Sequence, residues 1–365
     1  MAPYCSKAMG PGRYVEIVGG IAILVLTFHD LFQTIVLPRP TIYRVPLVSR
    51  MMARRLWVGW RWVGSRRRRQ QERENFLATF GPAVLLMLLA FWGLSLVLGY
   101  GLVLDGLQDQ ITPPPPEFLT SLRFSAATLL PLAYGEMVPT GGAAWLAVLA
   151  ESATGVVLVA LVITLLFSLY RSFQTREELV VTLDALAGAP PSGLHLLETA
   201  AAHPMPERRL DETFTDWKRW SAAVLESHLA YPALFYFRSS HDNEAWLNSF
   251  GAVMDAATLV LSTLEHESAG AARLMSRVGN HLVEDAAWHF GIKGTGEVGV
   301  ERQEFEEARA RLCQAGYRCR DAETAWSEFV DLRRRYASSL NQLTRWLAIV
   351  PTGWIGDRTY KPHRP

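Results

Sequence analysis

Cysteine, net charge and strand-like alternation are all scarce in this sequence. Its 365 residues hold three cysteines, Cys5, Cys313 and Cys319, without the CxxC spacing of a zinc site or the density of a disulfide framework. Cys313 and Cys319 fall in the polar C-terminal half and read as reduced cytoplasmic thiols. A formal net charge of +1 lacks the electrostatic footprint of a nucleic-acid binder. No Ser-His-Asp, Cys-His or paired-carboxylate constellation stands out, which argues against an enzyme. No repeat of fixed period is present. Charge is also missing locally: residues 76–104 carry no charged side chain, and residues 144–170 carry only Glu151. Each stretch exceeds the ~20 apolar residues that a helix needs to cross a ~30 Å hydrocarbon core.

A third apolar stretch, residues 15–37, is long enough to span although it holds Glu16 and the pair His29-Asp30. The sequence after it, "PRPTIYRVPL", has no small-residue cleavage site, so residues 1–38 read as a retained N-terminal span rather than a signal peptide. Intramembrane ionisable residues are functional candidates, but Asp30 lies close to a basic interface. Pairing with Arg39 or Arg44 is the commoner role there, and proton sensing by His29 and Asp30 the rarer one. Eleven arginines between Arg39 and Arg73 mark the cytoplasmic side. The amino terminus is therefore expected outside, the loop "DGLQDQITPPPPE" outside, and the C-terminal domain in the cytoplasm. Residues 39–75 mix arginine with Trp57, Trp60 and Trp62. They read as an amphipathic segment on the inner leaflet, held by anionic lipids.

From about residue 177 the composition is that of a soluble helical protein. Breaks fall at 188–193 and 202–207, helical periodicity over 208–230, 243–267, 270–290, 301–317 and 320–348, and a loose tail over 351–365. Residues 177–350 are expected to form an all-α cytoplasmic domain. Gly294, Gly296 and Gly299 match GxGxxG, but a helical pattern precedes them where a dinucleotide site needs a strand, so a flexible loop is expected. His281, Asp285 and His289 share one helix face at i, i+4, i+8; they could hold a metal with help from another helix, though such stripes are usually polar surface. No cofactor and no resident metal are expected.

Between the second and third spans lies "EFLTSLRFSAATLLPLAYGEMVPTGG". Residues 117–130 are mostly apolar yet too short to cross a bilayer, and Pro131, Tyr134-Gly135, Pro139 and Gly141-Gly142 follow. This pattern predicts a re-entrant hairpin. Irregular backbone at membrane depth is tolerated only where protein buries it or where it lines a water-filled cavity. One hairpin cannot enclose a cavity, so several copies must surround one, as in a pore.

Here the sequence resembles the potassium channel superfamily, whose pore reads T-x-T-T-x-G-Y-G-D-x-x-P. Without gaps, Thr128 takes the first threonine, Tyr134 and Gly135 the Y-G, Glu136 the aspartate and Pro139 the final proline. The resemblance covers about residues 76–172. It implies a pore-loop fold within an all-α membrane protein: span 76–104, pore helix 117–130, filter 131–136 and span 144–170. Pro131, Leu132, Ala133, Tyr134, Gly135 and Glu136 would line the ion path. Thr128, Pro139 and Glu151 would support it, Gly155 would serve as hinge or packing residue, and the chain would act as a homotetramer. The permeant species would be a monovalent cation, K+ or Na+. The block "SHLAYPALFYFRSSHDNEAWL" looks like the cytoplasmic region of bacterial proteins described as ion channels.

The departures are local. Pro131 replaces the threonine whose hydroxyl forms the innermost ion site, Leu130 replaces its neighbour, and Ala133 replaces the first filter glycine. Glycine is used there because alternating carbonyl directions need left-handed backbone. The expectation is a passive tetrameric cation channel of the inner membrane, weakly selective and regulated by its cytoplasmic helices. The alternative is a non-conducting, channel-derived scaffold or sensor.

Overall fold

The computed structural model describes residues 10–37, 48–132, 135–239, 245–265, 268–350, 352 and 354. Cys5, Arg39, Arg44, Ala133, Tyr134 and almost all of the tail lie outside the described residues. The chain is mostly helical, and among the described residues three helices are long and apolar enough to cross a membrane: Pro11–Val36, Gln70–Gly106 and Gly142–Ala187. Two compact units divide it, one formed by residues 1–59 and 82–169, the other by 60–81 and 170–365.

In the first unit, α1 (Pro11–Leu31) runs into a π-helical turn, Phe32–Val36. It meets α4 (Phe80–Gly106) through glycines: a Cβ on Gly20 would strike the Gly99 carbonyl oxygen. Small residues let helix backbones approach where lipid supplies no hydrophobic drive between them. After α4, the strand β1 (Ile111–Thr112) pairs antiparallel with β2 (Val138–Pro139), Ile111 opposite Pro139. Between these strands lies α5 (Phe118–Leu129), and after them α6 (Gly142–Ala187). Val103, Leu104, Leu107, Ile111 and Ala144 form a buried cluster beside the paired strands.

Between α1 and α4 the chain forms α2 (Val48–Ser65) and α3 (Gln70–Ala78). The tryptophans expected at a lipid surface do not share it. Trp57 is 1% exposed, and Trp60 stacks on Phe76 with ring centroids 5.0 Å apart while its Nε1 donates to the Phe76 carbonyl. Trp62 is exposed, with the Arg66 guanidinium over its ring. A side chain that can reach both a neighbouring ring and a carbonyl gains more from protein than from head groups.

The second unit gathers α7 (Gly193–Ala201), α8 (Pro206–Ala230), α9 (Trp246–Thr263), α10 (Ala269–Phe290), α11 (Arg302–Gln314), α12 (Ala322–Arg333) and α13 (Ala337–Trp346). The helix expected over 320–348 is thus two, parted at 334–336, and α7 was not foreseen. Trp217, Trp220, Trp246 and Phe250 pack ring against ring in its core. Arg176 is 1% exposed. Its guanidinium donates to Glu177 and to the carbonyls of Leu234 and Phe237, and lies 3.3 Å from His228 Nε2. Two of those acceptors belong to the "SHLAYPALFYFR" stretch, so that stretch is a structural centre of this unit.

Cys313 and Cys319 are joined in a disulfide, not reduced as expected. The chain reverses after α11 at Gly316 (φ 101°), and Cys319 then bridges Leu264, which brings the sulfurs together. The GxGxxG loop follows α10, not a strand. It is tethered by the Thr295 amide to Ser338 Oγ (2.7 Å) and by Arg333 Nε to the Val298 carbonyl (2.8 Å).

Candidate functional site

Helix α5 is fixed to its neighbours by hydroxyls. Ser121, Ser125 and Leu129 recur every four residues and form its buried face. Ser121 Oγ donates to Asp105 at 2.6 Å; Ser125 Oγ bonds the Val97 carbonyl at 3.0 Å and also Glu151. Tyr100 and Thr154 share a hydrogen bond of 3.0 Å between α4 and α6. Glu151 is fully buried behind α5, and its Oε2 has no hydrogen-bond partner among the described residues. Gly155 lies against the Leu129 carbonyl, with no space for a Cβ, and α6 continues through it for 46 residues without a break. The close approach explains the glycine on packing grounds.

Beyond α5 the backbone turns at once. The Leu130 amide donates to the Ala126 carbonyl and the Leu132 amide to that of Ala127 at 2.9 Å. The second bond skips back five residues, as at a helix end closed by a left-handed residue. Pro131 occupies that position with φ 20°, far from the ring-favoured value of about −65°. Strained backbone is thus present at Pro131, while Ala133, where left-handed backbone was expected to be needed, lies outside the described residues. Gly135 has φ 71°, and Leu130, Pro131, Leu132, Gly135 and Glu136 are all exposed in the single chain. Thr128 is half-buried and makes no side-chain hydrogen bond among the described residues. Pro139 sits in β2.

The return limb is held by a residue that the motif does not contain. The backbone carbonyl of Gln110 accepts from the amides of Thr140 (2.7 Å) and Gly141, while its side-chain oxygen accepts from Ala143 and Ala144 at the start of α6. This satisfies helix-start donors that otherwise lack partners. Sequence reasoning passed over Gln110, Asp105, Ser121 and Ser125. The four-residue spacing of the two serines, which puts them on one face of a mostly apolar helix, was the readable signal.

The arginines expected to pair with Asp30, Arg39 and Arg44, lie outside the described residues; Asp30 has other partners. It accepts from Trp92 Nε1 at 2.8 Å and from the hydroxyl and amide of Ser49 at 3.1 and 3.3 Å, and attracts the Arg50 charge. His29 Nε2 has no hydrogen-bond partner among the described residues. In the second unit His281, Asp285 and His289 lie along α10, and His289 stacks on Phe235. Among the described residues no group of three or more His, Cys, Asp or Glu side chains converges as a metal site requires. No family model, curated protein or solved structure matches the chain.

Proposed function

We propose that the chain is one subunit of a homotetrameric, passive cation channel of the potassium-channel type. The observation that carries this is the sequence α4, short α5, irregular limb, α6, with α5 clamped to both long helices by Ser121, Ser125 and Gly155. In one copy, residues 130–132 and 135–136 are exposed. Lipid does not tolerate exposed irregular backbone, whereas further copies around a water-filled axis would cover it. On this reading Tyr134 and Gly135 offer outer carbonyl sites, and Glu136 adds a ring of four negative charges at the mouth. A monovalent cation, K+ or Na+, passes down its gradient. The membrane is the inner membrane, with the amino terminus outside and anionic lipids at the basic segment. The helical C-terminal domain regulates.

One observation favours a second reading, a non-conducting scaffold or sensor. Leu130 and Pro131 put apolar side chains where the family carries hydroxyls, and Pro131 is strained. Flux of K+ or Na+ into liposomes holding the purified full chain separates the two. Flux that a Glu136→Lys variant lowers supports the channel; tight vesicles at every protein density support the scaffold.

A further inference from the structure

Helix α10 turns one face toward its own unit and leaves the other open. Residues 274, 277, 281, 285 and 288 fall within about 40° of one line along the helix, given ~100° per residue. Leu274 is 49% exposed and Trp288 62% exposed. Arg277 and His281 are exposed and Asp285 half-buried, and neither Arg277 nor Asp285 has an ion-pair partner among the described residues. An exposed tryptophan and leucine on one line, with polar groups between, is the composition of a docking surface rather than of scattered surface residues.

The order of the charges says what fits. Cation, imidazole and anion are spaced symmetrically about His281, with Arg277 four residues before it and Asp285 four after. Leu274 and Trp288 lie seven residues before and after. We infer that this stripe pairs with the same stripe of a second copy, antiparallel, about a two-fold axis through His281. Arg277 then faces Asp285 of the partner subunit at two equivalent places, and Leu274 packs on Trp288 of the partner subunit at two more. A parallel pairing sets like charges directly opposite each other, which such interfaces avoid. The interface is isologous: one patch meets itself. In a tetramer it joins C-terminal domains as two pairs, a lower symmetry than that of a four-fold pore. The pairing does not depend on conduction, so loss of the channel reading leaves it standing.

The test is disulfide trapping in the full chain with Cys5→Ser, where Cys313 and Cys319 already bond each other. His281→Cys should cross-link into reducible dimers on mild oxidation. Trp288→Cys alone should not, because antiparallel pairing sets its two copies roughly 20 Å apart along the helices at ~1.5 Å per residue. Trp288→Cys with Leu274→Cys should cross-link again. Arg277→Asp should cut the His281→Cys dimer several-fold, and adding Asp285→Arg should restore it. Self-linking of Trp288→Cys overturns the antiparallel register. Trapping at His281→Cys no greater than at Glu307→Cys on α11, or a charge reversal that fails to restore, overturns the interface.

Discussion

At the scale of single residues, buried polar groups decide most. Arg176 satisfies two backbone carbonyls and a carboxylate inside the second unit. Replacing it by methionine keeps bulk but strands those acceptors, and losing one partner of a buried charged network costs about 3–5 kcal/mol. A large fall in the melting temperature of helical circular dichroism is the expected result. His228 gives the same network a pH dependence. Burial, and then the Arg176 charge, push its imidazole well below the ordinary range. Its stability contribution is therefore complete above about pH 6.5. It falls as pH drops below that value, because the unfolded chain binds the proton more readily, at up to about 1.4 kcal/mol per pH unit. Melting between pH 7.5 and 5 should show that loss, and His228→Gln, which keeps an acceptor toward Arg176, should flatten it.

At the scale of elements, the joint between α5 and α6 separates packing from hinging. A methyl group at Gly155 falls on the Leu129 carbonyl. Gly155→Ala should force α5 and α6 apart and cost about 1–3 kcal/mol, as overpacking does, seen as a less heat-stable detergent-purified protein. If stability is unchanged and only opening is altered, the glycine is a hinge. Ser125→Ala tests the other clamp. It leaves Glu151 without its hydrogen bond in a buried setting, at about 1–3 kcal/mol. The limb after α5 has its own test. Pro131→Thr with Ala133→Gly restores hydroxyls and left-handed freedom. On the channel reading, because selectivity reflects the number and field of carbonyl ligands, the double variant should prefer potassium over sodium more than the native chain, read as a shifted bi-ionic reversal potential. A native chain already strongly selective would refute that view of the limb.

At the scale of the whole molecule, copy number and orientation are open to direct measurement. Native mass measurement in mild detergent should give four chains; a stable monomer with no larger species would end the pore reading. On the proposed topology the arginine run puts the C-terminal half in the cytoplasm, whereas a disulfide is the usual mark of an oxidising compartment. The Cys313–Cys319 bond therefore sets these two rules against each other. Labelling of Gln108→Cys from each side of the membrane decides between them, and labelling only from the cytoplasmic side would reverse the proposed topology.

Sequence by itself determined the features that depend on composition over a helix length. The absence of charge over 76–104 and 144–170 sufficed for α4 and α6, because desolvation in a bilayer acts on every residue of a span. The short α5 followed from its apolar length between two turns. Tertiary structure alone decided the pairings. Trp57 and Trp60 turned into protein instead of lipid, Asp30 took Trp92 and Ser49, and Gln110 clamped the start of α6. Arg176 sits buried at the centre of the second unit, bonded to carbonyls far along the chain. Composition gives a residue's hydration preference, but a hydrogen bond exists only where a donor and an acceptor far apart in the chain meet within about 3 Å.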